Sequence, residues 1–316
     1  MAVQQEIARA SARPRGKAKL TRRERREEIE FYLFISLWII GFVAFDFGPI
    51  IASFVISFTD WSVLQAPKFI GLTNYSKMFT GDPLFYQALW NSLYFGIASV
   101  SIGMVVSFLL ALLLNQKVKG ASLFRTIFYL PSVVSGIAVA ILWVNILHPD
   151  FGLLNTALAW FGIKGPAWLV DPRWAKPALI LMSLWGAGGS MVIYLAGLQG
   201  VPQHLYEAAS IDGAGWWGKF WNVTVPMMSP VIFYNLIVGF IGSIQGFVLV
   251  LIMTDGGPAN ATLMYGLYLY RNAFRFFQMG YASALAWVLL VVIIAITALQ
   301  FRLARYWVFY EGDLKS

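Results

Sequence analysis

The run Gly213-Ala-Gly215-Trp-Trp-Gly218-Lys219 meets two phosphate-binding spacings at once, G-x-G-x-x-G and G-x-x-x-x-G-K. In either, glycines let backbone amides close around a phosphate at a helix N-terminus. Both need a strand before, a helix after and an α/β domain to hold them. The run sits instead in a connection between two long apolar stretches, and Phe220 stands where a magnesium-holding Ser or Thr belongs. Nucleotide binding by this chain is therefore not expected.

The remaining polar chemistry is sparse. There are 0 cysteines, which removes disulfides, thiolate metal sites and a catalytic thiol. The two histidines, His148 and His204, read as loop residues with no carboxylate pair at ligand spacing. Asn222-Val-Thr224 and Asn260-Ala-Thr262 match a glycosylation sequon by chance. No catalytic set, metal site or cofactor is expected. Asp46 stands out because a carboxylate at mid-bilayer costs about 2.5–3.5 kcal/mol. It precedes Gly48-Pro49, read as a local helix break, and both a structural and a transport role stay open.

The elements that must position these groups are hydrophobic. Of 316 residues 59% are hydrophobic and 12% charged, about half the charge of a soluble domain, so the solvent is apolar. Six stretches reach the roughly 20 residues a membrane helix needs: about 31–58, 88–114, 123–147, 175–198, 227–253 and 282–301. They are continuously apolar rather than alternating, which argues against strands. The first is too long for a signal-peptide core and reads as a retained helix.

The net charge of +8 does not point to nucleic acid, because nine of the 23 basic residues precede residue 31. With the N-terminus inside, 16 basic residues fall on cytoplasmic segments and 7 on external loops. That bias predicts both termini in the cytoplasm, the basic tail being read as the orientation signal and a further contact with a partner or with anionic membrane lipid as the alternative. The expected organisation is a basic tail 1–30, a first transmembrane helix 31–58, an external loop 59–87, a five-helix core 88–305 and a C-terminus 306–316. The external loops, rich in Gly, Pro and aromatics, are long for plain connections and read as folded caps or docking surfaces.

The connection 199–226 reads Glu207-Ala208-Ala209-Ser-Ile-Asp212-Gly213, nine residues, then Val223-Thr224-Val225-Pro226. It resembles the EAA loop of permease subunits of binding-protein-dependent ABC importers: Glu-Ala-Ala, three residues, Gly, nine residues, Ile, one residue, Leu-Pro. Every spacing is met, with Val223 for the Ile and Val225 for the Leu. Phe69-Ile-Gly-Leu-Thr-Asn74-Tyr75, Asp82-Pro83-Leu-Phe85, Phe124–Pro131, Asn155 and Thr254-Asp-Gly256-Gly257-Pro258 resemble the carbohydrate-type branch, in its maltose- and glycerol-phosphate-permease form. Read physically, Leu205, Ala208 and Ala209 offer a small apolar face, and Glu207 near a helix start offers a charge to a partner arginine. Gly213 permits a left-handed turn, and Pro226 suits the first turn of the next span.

The resemblance implies an all-α membrane protein with six transmembrane helices and a type I importer (MetI-like) core, in a cell or inner membrane. It implies a permease for a sugar-like solute, working with ABC ATPase subunits, a second homologous permease and an extracytoplasmic solute-binding protein. ATP hydrolysis would then lie elsewhere, and this chain is not expected to be an enzyme. The coupling residues would be Glu207, Ala208, Ala209, Asp212, Gly213 and Pro226. The solute path would be lined by Ser132, Ser135 and Gly136, then Trp185 and Gly186, then Ser243, Gln245 and Gly246. A permease for a non-sugar solute and a secondary transporter are the alternatives, the latter disfavoured by the shortage of buried charges.

Overall fold

The computed structural model describes residues 21–116 and 119–309. Most of the basic tail, Lys117 and residues 310–316 lie outside the described residues. The chain forms two units, one ending at Val55 and one beginning at Ile56.

The first unit is a long helix. α1 (Arg22–Gly41) starts within the segment expected to be tail, and passes through a π turn, Phe42–Phe47, into α2 (Gly48–Ile56). In place of the expected break, the Gly48 amide reaches five residues back to the Val43 carbonyl. The wider turn moves the carbonyls that the Pro49 ring would otherwise strike, so the helix continues. Asp46 lies in that π turn and is exposed.

The second unit opens with a two-stranded ribbon, β1 (Thr59–Asp60) antiparallel to β2 (Lys68–Phe69). Helices follow: α3 (Thr73–Thr80), α4 (Pro83–Leu114), α5 (Ala121–Val133), α6 (Gly136–Ile146) and α7 (Leu153–Trp160). Next are α8 (Pro172–Leu184), α9 (Gly188–Gly200), α10 (Gln203–Ile211), α11 (Trp216–Lys219) and α12 (Val225–Gln245). The last are α13 (Val248–Met253), α14 (Tyr265–Tyr270) and α15 (Met279–Ala304). Among the described residues five helices are long and apolar enough to cross a membrane, and α5 with α6 makes a sixth crossing if counted as one. That pair is bent by 98°, so the third span is a broken one rather than the straight helix its composition suggests. The fifth also stops early, at Gln245, with α13 as a separate short helix.

Packing follows the rule for helices in lipid, where small residues bring backbones together. α4 lies between α9 and α12 and buries Ala88, Ser92, Gly96, Ser99 and Ala111, while Trp90, Ile97 and Leu109 face outward. One very close approach is at Gly188, where an added Cβ would stand 1.9 Å from the Phe128 carbonyl oxygen of α5.

The long loops between spans are folded together on one face. Asp82 caps α4, accepting from the Leu84 and Phe85 amides at 3.0 and 3.2 Å. Its second oxygen accepts from the phenols of Tyr268, at 2.5 Å, and Tyr281. Burial and the Asp82 carboxylate push the Tyr268 phenol up to about 12. The buried Asn91 amide donates to the Asn260 and Leu263 carbonyls and accepts from Lys176 at 3.0 Å. Asn74 donates to the Ser57 and Thr59 carbonyls, both at 2.9 Å. Asp255, next to Gly256, pairs with Arg275 at 2.8 Å. Partial burial acts to raise its pKa, but the hydrogen bond from Arg275 and the charges of Arg271 and Arg275 outweigh that and hold it low.

Candidate functional site

Three neighbouring membrane segments lose regular helix. α5 and α6 part at Val134–Ser135, α8 and α9 are joined by a 3₁₀ turn at Trp185–Ala187, and α12 ends where Gly246 turns extended (φ −67°, ψ 124°). α5 packs on the 3₁₀ turn, α6 packs on α13, and Trp143 meets Trp185 edge-to-face at 5.7 Å. Irregular backbone at membrane depth is tolerated where it is buried in protein or lines a polar cavity.

A cavity with a volume of ≈ 470 Å³ lies against the second and third of these breaks, at Gly186–Ala187 and Gly246. Gly186, Ser243, Gln245 and Gly246, four of the eight residues expected on a solute path, stand in its wall. Ser132, Ser135, Gly136 and Trp185 do not: the Ser132 hydroxyl donates to the Tyr129 carbonyl at 2.6 Å, and Ser135 and Gly136 lie exposed at the bend. The wall also holds Ser99, Ser107, Ser183, Ser190 and Asn235, which the sequence reading passed over. Their signal was available, since each is a polar residue inside an apolar span.

The polar groups of that wall stand among apolar side chains such as Phe95, Met104, Leu179 and Val250. Ser99 and Ser183 donate to carbonyls of their own helices, both at 2.6 Å, Asn235 does so at 2.9 Å and Ser243 at 2.9 Å. With those donors used, the side-chain oxygens keep lone pairs for a bound solute. Gln245 is exposed on the wall, and its amide can both donate and accept. Among the described residues no Asp, Glu, Lys, Arg or His lines the cavity. Its hydroxyls and amides can exchange hydrogen bonds with a hydroxyl-bearing solute.

The second site is the connection 199–226. α10 ends in a Schellman closure: Gly213, at φ +80°, donates to Ser210, and Ala214 donates to Ala209 at 2.9 Å. This is the left-handed turn expected of Gly213. One expectation is corrected. Glu207 is the fifth of nine residues in α10, exposed but beyond the first turn, so the helix dipole does not account for it. Pro226 sits in the first turn of α12, and the helical run continues backward from there to Trp216. A π turn, Phe220–Thr224, carries the chain into that proline. Ala208 and Asp212 are exposed, while Leu205 and Ala209 are half-buried, so the small apolar face is only partly packed against the protein. Tyr206 Oη lies 3.1 Å from Thr224 Oγ1, tying α10 to the π turn.

The glycine run is thus spent on shape: Gly213 closes α10 and Gly215 precedes the four-residue α11, with no strand beside either. His204 belongs to α10 rather than a loop, and His148 stacks on Phe151 at 3.6 Å.

Residues 103–307 match the family described as binding-protein-dependent transport system inner membrane component. The chain belongs to this family. The permease is 43% identical over 298 residues to the probable ABC transporter permease protein YesP of Bacillus subtilis, covering 93% of this chain and 96% of that one. It is 37% identical over 289 residues to the lactose transport system permease protein LacF of Rhizobium radiobacter, covering 89% and 96%. A chain of the bacterial alginate ABC transporter, crystallised with its alginate pentasaccharide-bound periplasmic protein, superposes with a TM-score of 0.79 at 26% identity, covering 89% and 96%. The permease is therefore a multi-pass membrane protein, and family membership sets aside the secondary-transporter reading.

Proposed function

We propose that this permease carries a sugar or sugar-like solute inward, as one membrane subunit of an ATP-driven importer. The observation that carries the solute class is the cavity beside the breaks at Trp185–Ala187 and Gly246, where serine hydroxyls and the Asn235 and Gln245 amides stand among apolar side chains. Relatives named for lactose and for arabinooligosaccharides support the same class. The family description supports an external binding protein as supplier of the solute.

In this reading the connection 199–226 faces the cytoplasm and docks, through Glu207, Ala208, Ala209, Asp212 and Gly213, on a separate ATPase. A second, homologous permease completes the pathway, and access to the cavity alternates between the two membrane faces. Residues 1–30 and 306–316 are then cytoplasmic, 59–87 is external, and 88–305 forms the transporting core. Ser132, Ser135, Gly136 and Trp185, at the bend and the 3₁₀ turn, would join the path as the helices move.

The test is uptake by the whole importer in proteoliposomes, with labelled lactose, maltose and arabinobiose offered against a labelled amino acid. Saturable, ATP-dependent uptake of at least one of the sugars is expected, and uptake of the amino acid alone would refute the solute class. In cells, a cytoplasm-active reporter placed in residues 212–218 should be active and one near Gly162 silent.

A further inference from the structure

The helix that carries Gln245 into the cavity wall begins at Trp216, on the side of the connection 199–226. From Thr224 to Gln245 a helix rises about 1.5 Å per residue, so the two ends of this rod stand some 30 Å apart. Just before the rod the chain adopts its π turn, in which the Val225 amide reaches five residues back to the Phe220 carbonyl. The reason is local. Pro226 has no amide to offer, and its ring would collide with the carbonyl four residues earlier. The π turn moves that carbonyl aside. The same solution serves Pro49, where the π turn is exposed.

At 220–224 the π turn is held. Thr224 is its last residue and is buried. Its hydroxyl back-bonds to the Lys219 carbonyl at 3.4 Å and meets the Tyr206 phenol at 3.1 Å. Tyr206 immediately precedes Glu207 on α10. Among the described residues this is the sole side-chain hydrogen bond that joins α10 to another element, since Ser210 bonds only to the carbonyl of Tyr206 itself. A push on α10 therefore has one directional polar link into the membrane, and that link ends on the turn most easily rewound, because π geometry is the least stable helical form.

We infer that Tyr206 and Thr224 form a latch that transmits movement of α10 to the fifth span through the 220–224 π turn. Tyr206 is thus a positioning residue for transport. The inference rests on the reading of 199–226 as the ATPase-coupling connection and adds the path by which coupling reaches the cavity. When α10 shifts, the Tyr206 phenol draws on the Thr224 hydroxyl, the π turn changes its pitch, and the rod delivers the displacement to Gln245 and Gly246.

The absence of cysteine from this chain provides a clean readout. A single cysteine at Gly242, where an added Cβ meets nothing within 4 Å, reports exposure of the cavity wall to a water-soluble maleimide. The whole importer is labelled with and without ATP and vanadate, and modification of this chain is followed by mass. Tyr206→Phe and Thr224→Val should each shrink the nucleotide-driven change in labelling about 3- to 10-fold, the range expected for one lost hydrogen bond. ATPase retention and labelling without nucleotide should stay at parental levels. The double variant should be no worse than either single one, and Thr224→Ser, which keeps the hydroxyl, should respond like the parent. A parental response in either single variant, or a double variant that loses the product of the two, overturns the latch. If Gly213→Pro breaks coupling while Tyr206→Phe is silent, the latch alone is wrong. If Gly213→Pro also keeps the ATPase and the labelling response, the coupling reading fails and the latch falls with it.

Discussion

The two ends of this permease are built on opposite plans. Where the long loops gather, side chains stitch the backbone at many points: Asp82 holds two tyrosines and a helix start, Asn91 holds two carbonyls and a lysine, and Asn74 holds two more carbonyls. At the other end α10 stands exposed along Glu207 and Ala208 and is joined to the spans by one phenol. A densely bonded face resists local opening, whereas a sparsely bonded helix can move as a body. One end suits a platform that receives a large partner without yielding, and the other suits a lever.

This contrast can be broken by mutation. The largest effect is expected at the lever. Gly213→Pro fixes φ near −65° where +80° is required, and Glu207→Lys reverses an exposed charge. Both should cut solute uptake more than about tenfold, the scale of a lost coupling free energy, while the permease stays in the membrane. Uptake in cells and ATPase recovery on affinity-purified permease measure this. If both variants keep the ATPase and parental uptake, the lever is misplaced.

At the platform the effect should be on stability. Asp82→Ala removes a helix cap and the acceptor of two phenols, a loss of about 2–4 kcal/mol. Thermal unfolding of the detergent-purified complex should shift downward, with ATP hydrolysis per complex unchanged at low temperature. An unchanged transition would show that the stitching is ornamental.

Between the two ends, Gln245→Ala should lower uptake several-fold, in line with about 1 kcal/mol for one lost hydrogen bond to solute. Assembly and the binding protein's own affinity should be untouched. Parental uptake would remove Gln245 from the path.

The smallest effect concerns pH. Asp255 is held below its usual value of 3.8, so its pairing stabilises the loop above that value and is lost as pH falls through its lower folded pKa. The protection factor for hydrogen exchange in 254–275, with the intrinsic pH dependence of exchange divided out, should be flat from neutrality to about pH 5 and fall only in stronger acid. A fall in protection near pH 6 would contradict this assignment.

Much of this architecture was legible because the bilayer imposes a length and a composition that a continuous apolar run displays directly. The connection 199–226 was legible for a different reason: its glycine, proline and small residues obey fixed spacings, and Gly213 adopts the conformation that its spacing implies. The stitching was not legible, since Asp82 and Tyr281 stand 199 residues apart and nothing local announces their meeting. Nor were the π turns. A proline in an apolar run signals an interruption, but whether the chain breaks or widens by one residue depends on neighbours that hold the helix on both sides. The cavity wall was half legible. Ser243, Gln245 and Gly246 sit at a helix end that small residues foreshadow, whereas Ser99 and Asn235 lie mid-helix and gain a role only when α4 and α12 are packed.

The 98° bend between α5 and α6 also constrains how the protein is made. α6 has 11 residues, a rise of about 16 Å against a hydrocarbon layer of roughly 30 Å, so the break at Val134–Ser135 falls inside that layer. Lipid cannot satisfy backbone groups that such a break takes out of the helix. The two halves are held by α9, packed on α5, and α13, packed on α6, both of which leave the ribosome later. The third crossing therefore cannot take its final shape when it is synthesised. It must wait in the membrane in another form until two later segments arrive, which makes this permease a chain whose insertion and folding are separate events in time.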